Sequence, residues 1–203
     1  MVFLQTICIL FGGAINLSAR EDTKTLLTPS LRTDRAIKDP KVIDEILSRA
    51  PVGHLGLSCK NQPYVVPLLF ASKDGDIYLH CSDSGMMMQF LRSNPSVCFE
   101  VDEFLDIVPG PVPCKYSNTY RSVIAFGTAQ ILTDPVEKTA GLRLIVAKYA
   151  GDEVARTLTK DMVEEYRSTL LHRRTVVLKI RINQMTGKMF ENEKQATSAA
   201  PPR

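Results

Sequence analysis

The histidines and cysteines are the residues of this chain best suited to bind a metal or attack a substrate. They are His54, His80, His172, Cys8, Cys59, Cys81, Cys98 and Cys114. No Cys-x-x-Cys pair occurs, so a metal site would have to be assembled from side chains on separate strands, and we expect no bound metal. The side chains that such a site would use are Cys59, His80, Cys98 and Cys114. Cys114 is the one candidate nucleophile, and it would need a partner base.

A polar turn at residues 78–85, with the sequence Tyr-Leu-His-Cys-Ser-Asp-Ser-Gly, is a second feature that could do chemistry. A predicted strand ends here, and Gly85 opens a predicted helix whose first backbone amides can bind an anion. His80, at the end of the strand, can donate a hydrogen bond to a ligand. The alternative is a polar connection that binds nothing, and the spacing alone leaves both interpretations open.

Arg121 is a third candidate for a functional residue, because it lies in an otherwise apolar predicted strand at residues 120–132. Its guanidinium needs a partner, which can be the phosphate or carboxylate of a ligand. The alternative is an ion pair at the protein surface. Together with the turn at His80, Arg121 indicates a phosphorylated ligand without identifying it.

Six short strands and a few helices must position these residues. The strands are residues 52–59, 63–70, 76–82, 96–102, 120–132 and 174–183, and the helices are residues 40–50, 85–93, 135–150 and 161–171. Pro67 predicts an edge strand or a bulge, and Gly127 predicts a bulge or a close backbone approach. Residues 103–115 contain three prolines and a glycine and are predicted to form a long loop. Many strands at short intervals predict a small antiparallel barrel.

The composition is that of an ordinary globular chain of 203 residues, of which 44% are hydrophobic and 23% charged. A net charge of +3 is too small to favour nucleic acid as a partner. An odd number of cysteines without a disulfide framework favours a reducing cytosol. We expect a working domain at residues 31–192, between an N-terminal extension and linker at residues 1–30 and a disordered tail at residues 193–203.

The apolar stretch at residues 2–15 is too short to cross a bilayer as a helix, so no stable membrane insertion is expected. It is similar to the apolar part of a signal peptide, and residues 17–19 (Leu-Ser-Ala) could be a cleavage site. No basic residue precedes the stretch, which favours an appended segment ahead of a cytosolic domain. Secretory export stays open as the alternative.

The order of several short motifs over residues 31–188 resembles that of one protein family. These motifs are Asp34-Arg35, Ile46-Leu47-Ser48-Arg49-Ala50, Val52-Gly53-His54-Leu55, Pro63-Tyr64-Val65-Val66-Pro67, Ile77-Tyr78-Leu79-His80, Gly85, Asn94-Pro95-Ser96-Val97-Cys98-Phe99-Glu100-Val101, Tyr120-Arg121-Ser122-Val123-Ile124, Gly127, Asp134-Pro135, Glu137-Lys138 and Met185-Thr186-Gly187-Lys188. The chain resembles the pyridoxamine 5′-phosphate oxidase-like superfamily of FMN-binding split barrels. It is most similar to the branch that contains the 5-nitroimidazole resistance (Nim-type) proteins.

This resemblance implies a mainly β fold with flanking helices, a six-stranded antiparallel Greek-key split barrel that dimerises and binds FMN in a groove between the two chains. The cofactor-binding residues implied by position are Val65, Val66, Pro67, Leu68, His80, Gly85, Met86, Met87, Arg121 and Ser122. Residues 65–69 would run along the isoalloxazine ring, largely through backbone groups, and Gly85 with the next two residues would hold the phosphate. Arg121 and Ser122 would approach the flavin from the other subunit. His80 would lie beside the flavin and is the expected catalytic residue.

The phosphate loop departs from the family pattern. The family usually carries basic residues just after the glycine, whereas residues 86–88 of this chain are all methionine. A thioether cannot replace a charge-assisted phosphate contact, so Arg121, Lys115 or the helix N-terminus would have to compensate, or FMN would bind less tightly. Haem, with His80 as an axial ligand, is the less favoured cofactor.

The resemblance implies an FMN-dependent oxidoreductase that reduces a small organic substrate. A non-enzymatic flavin- or haem-binding module is the alternative, and a true pyridoxamine phosphate oxidase is the least favoured. Residues 123–126 (Val-Ile-Ala-Phe) supply more apolar side chains than one buried face uses. A two-fold partner is the commonest cover for the unused face, so we expect a homodimer whose sites are shared between its chains.

Overall fold

The structure is a computed structural model of the chain, and it describes residues 32–168 and 172–191. The chain divides into two units, Met1–Thr33 and Asp34–Arg203, and the fold described below belongs to the second. The predicted N-terminal extension, the predicted tail and the end of the predicted helix at residues 161–171 lie outside the described residues. None of the helices in the described ranges is long and apolar enough to span a membrane.

The described residues form seven antiparallel strands in one sheet. The strands are β1 (Gly53–Cys59), β2 (Gln62–Leu68), β3 (Phe70–Lys73), β4 (Asp76–Ser82), β5 (Ser96–Val108), β6 (Ser117–Ile131) and β7 (Thr175–Phe190). Their order in the sheet is β2-β1-β5-β6-β7-β4-β3. β2 and β3 therefore form opposite edges, although only Leu69 separates them in the sequence. Because neighbouring strands lie about 4.8 Å apart, one residue can join the two edges only if the sheet curls until they meet.

The curled sheet is a split barrel with flanking helices, so the predicted fold class is confirmed. No hydrogen-bonded ladder joins β2 to β3 in the described part of the chain, which leaves the barrel open between them. The sequence predicted a single strand over residues 63–70, but Leu69 divides this segment between the two edges and raises the number of strands from six to seven. Pro67 lies on β2, and an edge strand is where proline was predicted and is tolerated.

Five α-helices accompany the sheet within the described residues. They are α1 (Pro40–Arg49), α2 (Met86–Ser93), α3 (Pro135–Ala150), α4 (Asp152–Thr157) and α5 (Lys160–Glu165). Asp134 caps α3, because its carboxylate accepts hydrogen bonds from the amides of Val136 and Glu137, both at 2.9 Å. Gly151 ends α3 with a φ of 89°, as predicted. α5 ends earlier than the predicted residue 171.

Alternate residues of the strands fill the barrel interior, as their two-residue period predicts. The largest fully buried side chains are those of Ile46 on α1, Met88 on α2 and the strand residues Phe70, Phe99, Leu55, Ile77, Leu79, Leu178, Ile180, Val101, Val123 and Val177. Val177 departs from the alternation on β7, because it lies on the outer face beneath α3. A Cβ atom on Gly141 of α3 would lie 3.0 Å from Val177 Cγ1 and 3.1 Å from Tyr78 Cδ1. α3 therefore covers the outer face of β4 and β7.

The hairpin between β5 and β6 corrects the prediction of a loop over residues 103–115. β5 continues to Val108, which pairs with Ser117 at the start of β6, so the connection comprises residues 109–116. The three prolines occupy positions 109, 111 and 113, beyond the strand, and leave the amides of residues 103–108 free to join the ladder. Phe104 and Ile107 are exposed along this hairpin.

Gly127 marks a bulge in β6, and this prediction is confirmed. The register between β6 and β7 shifts between Phe126 and Gly127. A Cβ atom on Gly127 would lie 2.3 Å from the carbonyl oxygen of Arg181 and 2.9 Å from Ile180 Cγ2. The two backbones approach so closely here that only glycine fits.

Candidate functional site

His80 borders a cavity on the outer side of the barrel. Its neighbour on β4, Leu79, is buried inside the barrel, so the side chain of His80 points outward. The cavity has a volume of about 310 Å³. The other residues that line it are Leu142, Leu158, Met162, Val163, Tyr166 and Thr175. This mostly apolar lining suits a small organic molecule or part of a larger one.

The imidazole of His80 has an unmet hydrogen-bonding requirement. Its Nδ1 atom is buried and has no partner among the described residues. Burial lowers the pKa of His80 below its usual value, so the ring is neutral at neutral pH. A neutral imidazole has one donor and one acceptor nitrogen. One buried ring nitrogen of His80 therefore lacks a hydrogen-bond partner in the described chain, in a residue that borders the cavity.

α2 begins next to this region, directly after the polar turn that follows β4. Gly85 precedes the helix with a φ of 105°, and no side chain caps the first amides. Free amides at a helix N-terminus favour an anion. A buried Oδ1 atom of Asp83 has no partner in the described part and opposes an anion at this turn. Arg92 donates a hydrogen bond to the carbonyl oxygen of Asp83 at 3.2 Å and brings a cation to the same turn.

Met86 and Met87, both predicted to contact the cofactor, lie in different environments. Met86 is 56% exposed, whereas Met87 is 9% exposed and packs in the barrel core beside Met88. Met86 is therefore the residue whose side chain can lie near a phosphate at the turn. Burial, and then the charge of Asp83, raise the pKa of the neighbouring Cys81 to about 12, so this thiol is protonated and unreactive.

The predicted ring-binding segment forms the edge strand β2. Its inward-facing residues are Val66 and Leu68, and its exposed residues are Val65 and Pro67. The edge of β2 that faces away from β1 leaves backbone donors and acceptors free for a ligand. Phe70 pairs with Leu79, so the end of β2 lies close to His80. The structure thus brings the end of the segment, His80 and the start of α2 into one region.

Arg121 has carboxylate partners within its own chain. Its guanidinium forms ion pairs with Glu191 and with Glu103, the latter at 3.7 Å. These ion pairs agree with the alternative predicted from the sequence, in which the partner of Arg121 is a carboxylate of the protein and not a ligand. Ser122 follows it on β6 and is partly buried. Whether either residue contacts a cofactor stays a prediction.

His80 and Arg121 lie near opposite ends of β7. His80 pairs with Val177 of β7, whereas Arg121 pairs with Met189, twelve positions further along that strand. Twelve residues of extended strand span about 40 Å. A single chain therefore does not bring these two predicted site residues together.

Arg92 and the helical residues of the cavity were not predicted from the sequence. Arg92 could have been noticed as a basic residue within the helix that opens at Gly85. The cavity residues Leu142, Met162 and Tyr166 come from α3, α5 and the segment after α5. No local sequence motif predicts that these segments lie beside His80 of β4. A larger cleft of about 390 Å³ beside the β3–β4 hairpin contains none of the predicted site residues.

A family model described as Pyridoxamine 5′-phosphate oxidase matches residues 39–189. This match covers the split barrel, the cavity at His80 and the start of α2, and the chain belongs to this family. A search of the curated proteins gives no significant match.

Three solved structures illustrate what the chain is similar to. A Bacteroides thetaiotaomicron protein provisionally described as a 5-nitroimidazole antibiotic resistance protein is 28% identical, with a TM-score of 0.59 over 76% of this chain and 86% of that one. A FAD-binding protein from Mesorhizobium loti is 26% identical, with a TM-score of 0.50 over 77% and 98% of the two chains. The flavocytochrome Anf3 from Azotobacter vinelandii is 20% identical, with a TM-score of 0.63 over 85% and 79%, and shows a shared fold alone.

Proposed function

We propose that this chain binds FMN and uses it to reduce a small organic substrate. The observation that carries the proposal is the mostly apolar cavity at His80, where a buried imidazole nitrogen lacks a partner in the described chain close to the uncapped start of α2. Membership of the pyridoxamine 5′-phosphate oxidase family supports a flavin. The chain is 28% identical in sequence to the Bacteroides protein described as a 5-nitroimidazole antibiotic resistance protein, and a nitroimidazole is a small organic molecule.

The residues present fit a flavin through three sets of contacts. The free amides of α2, with Arg92 nearby, offer donors to a phosphate. The free edge of β2 at residues 65–68 offers backbone groups to the polar edge of a ring, and His80 closes the side towards the cavity. A bound flavin supplies the electron transfer, while the chain positions it and restricts access of water. Neutral His80 then orients the substrate through a hydrogen bond.

A non-enzymatic flavin- or haem-binding module is the second candidate. A neutral imidazole with an unpartnered nitrogen is a group that could hold haem iron, and this property of His80 is the observation that favours the module. A flavocytochrome shares the fold. In this alternative His80 would coordinate iron instead of orienting a substrate.

Anaerobic mixing with NADPH or NADH separates the two candidates. We expect the flavin of FMN-loaded protein to be reduced faster than free FMN and to be reoxidised when a small organic acceptor is added. Bound flavin that is reduced no faster than free FMN would support the module and contradict the oxidoreductase. A Soret band formed with haemin, without retention of FMN, would also favour the module.

Met86→Lys is expected to tighten FMN binding by about 1–2 kcal/mol, because it restores a charge-assisted contact near the phosphate. Met86 is the suitable position, since Met87 is buried in the core. Fluorescence titration with FMN measures the change. Val154→Lys on α4, which also places a lysine at an exposed apolar position, is the matched control and should leave the affinity unchanged. Unchanged or weaker binding by Met86→Lys would contradict the position assigned to the phosphate.

We also propose that the chain forms a homodimer, with each site lined by both subunits. His80 and Arg121 lie near opposite ends of β7, so a site that uses both requires a second copy. Outward-facing apolar side chains on β6 and its hairpin, among them Ile124 and Phe104, offer a surface for that copy. Shared sites would make FMN favour the dimer by mass action.

Light scattering at several concentrations, with and without FMN, tests the homodimer. We expect the mass of two chains, and Ile124→Glu should shift the population to single chains because it places a charge in an apolar interface. Val136→Glu, on the exposed side of α3, is the control. A stable monomer that binds FMN with full affinity would contradict the shared site.

A cytosolic location belongs to the same proposal. Cys59, Cys81, Cys98 and Cys114 are free thiols in the described chain. Thiols persist in a reducing compartment, which agrees with the cytosol. Fractionation of cells that produce the full-length chain tests this location.

A further inference from the structure

The outer wall of the cavity at His80 comes from helices of the same chain. Leu142 lies on α3, Leu158 follows α4, and Met162 lies on α5. α3 covers the outer face of β4 and β7, whereas the proposed homodimer would cover the outer face of β6 and its hairpin. The wall is therefore built by one subunit, and its chemistry does not depend on what covers β6.

Two sets of contacts hold this wall against α3. Arg143 of α3 donates two hydrogen bonds to the carbonyl oxygen of Leu158, from Nε at 3.0 Å and from Nη2 at 2.6 Å. Lys138 Nζ, also on α3, lies 2.9 Å from Glu164 Oε1 of α5. Val163 of α5 is buried and anchors the helix from beneath. The wall is thus in place before a ligand binds, and its lining can set the selectivity of the cavity.

None of the described residues that line the cavity carries a charge at neutral pH. Leucine, methionine and valine side chains form most of the lining, and Tyr166 and Thr175 add neutral hydroxyl groups. Burial lowers the pKa of His80, so its ring is neutral as well. An anion that enters the cavity would lose hydration and would gain no opposite charge in return.

We propose that this cavity selects an uncharged organic substrate of about one or two aromatic rings and rejects anions. The inference rests on the proposed function, which makes the cavity the substrate site. Its volume of about 310 Å³ is roughly twice that of an apolar cavity known to bind benzene. The phosphorylated substrate in the description of the family would bring a nearly dianionic phosphate to a wall without a counter-charge. The substrate of this chain would therefore differ from it in charge.

Equilibrium dialysis of the full-length, FMN-loaded protein with two probes of equal size tests the selectivity. The probes are 2-naphthamide, which is uncharged, and 2-naphthoate, which carries one negative charge at neutral pH. Bound FMN occupies the anion site proposed at the start of α2, so the carboxylate is measured at the cavity. We expect the amide to bind at least about thirty-fold more tightly than the carboxylate, because the cavity offers no charge to replace hydration.

Met162→Lys shows whether the cavity wall causes this preference. Met162 is 53% exposed at the cavity, so a lysine fits there and brings an ammonium group to the wall. It should raise the affinity for 2-naphthoate about ten-fold through a charge-assisted contact. Val154→Lys is the matched control, since Val154 is 50% exposed on α4 and does not line the cavity, and it should leave both affinities unchanged.

Equal affinity for the two probes, or no binding of 2-naphthamide, would overturn the proposal. So would an effect of Met162→Lys that is no larger than that of Val154→Lys. The comparison of the two probes needs only the wild type, so it decides the matter if Met162→Lys fails to fold. If the protein retains no FMN, the proposed function fails, whereas dialysis of the cofactor-free protein still measures the selectivity of the cavity.

Discussion

His80→Ala is expected to lower FMN occupancy or turnover about a hundred-fold while the barrel stays folded. His80 supplies the buried nitrogen that lacks a partner at the edge of a mostly apolar cavity. If the proposed function holds, its removal takes away a hydrogen bond to the ligand. Because the described chain forms no hydrogen bond to Nδ1, the free energy of unfolding should change by less than about 1 kcal/mol.

FMN titration, turnover per bound flavin and urea unfolding are measured together for this variant. His172→Asn is the matched control, since it replaces an exposed histidine by a residue that tolerates the φ of 51° found there. Full occupancy together with full turnover in His80→Ala would mean that His80 is a structural residue at the end of a strand. The placement of the ligand would then be wrong.

Gly127→Ala is expected to destabilise the barrel by about 3 kcal/mol, at the upper end of the usual cost of overpacking. The new methyl group would lie 2.3 Å from the backbone carbonyl oxygen of Arg181, which belongs to a paired strand and cannot move away freely. The bulge would have to open, and the ladder between β6 and β7 would be distorted at the centre of the sheet. Urea unfolding of the protein without cofactor measures the change.

Gly56→Ala provides the comparison for this substitution on another strand. Its Cβ atom would lie 3.2 Å from the carbonyl oxygen of Cys98, which requires a shift of only a few tenths of an ångström. We expect Gly56→Ala to cost less than about 1 kcal/mol. Equal stability of the two variants would show that the bulge at Gly127 is not a tightly packed feature.

Local signals in the sequence were sufficient for most of the fold. Alternation of apolar residues predicted the strands, and the Asp-Pro and glycine signals predicted both ends of α3. The extension of β5 through residues 103–108 was missed, because proline and glycine nearby suggested a loop and only pairing with β6 makes the segment a strand. The division of residues 63–70 at Leu69 likewise follows from the curl of the whole sheet.

The candidate site shows the same division between local and tertiary information. His80 and Gly85 were found because a strand followed directly by a helix is visible in the sequence. The burial of Met87, the carboxylate partners of Arg121 and the position of Arg92 depend on packing between distant segments.

Retention of FMN by the purified full-length protein tests the central claim most directly. The protein is incubated with FMN, freed of unbound cofactor by gel filtration and examined by visible absorption. Our account predicts the absorption bands of an oxidised flavin in the protein fraction, with one FMN per chain. A colourless protein that releases all of its FMN, or one that takes up haem and no flavin, would contradict it.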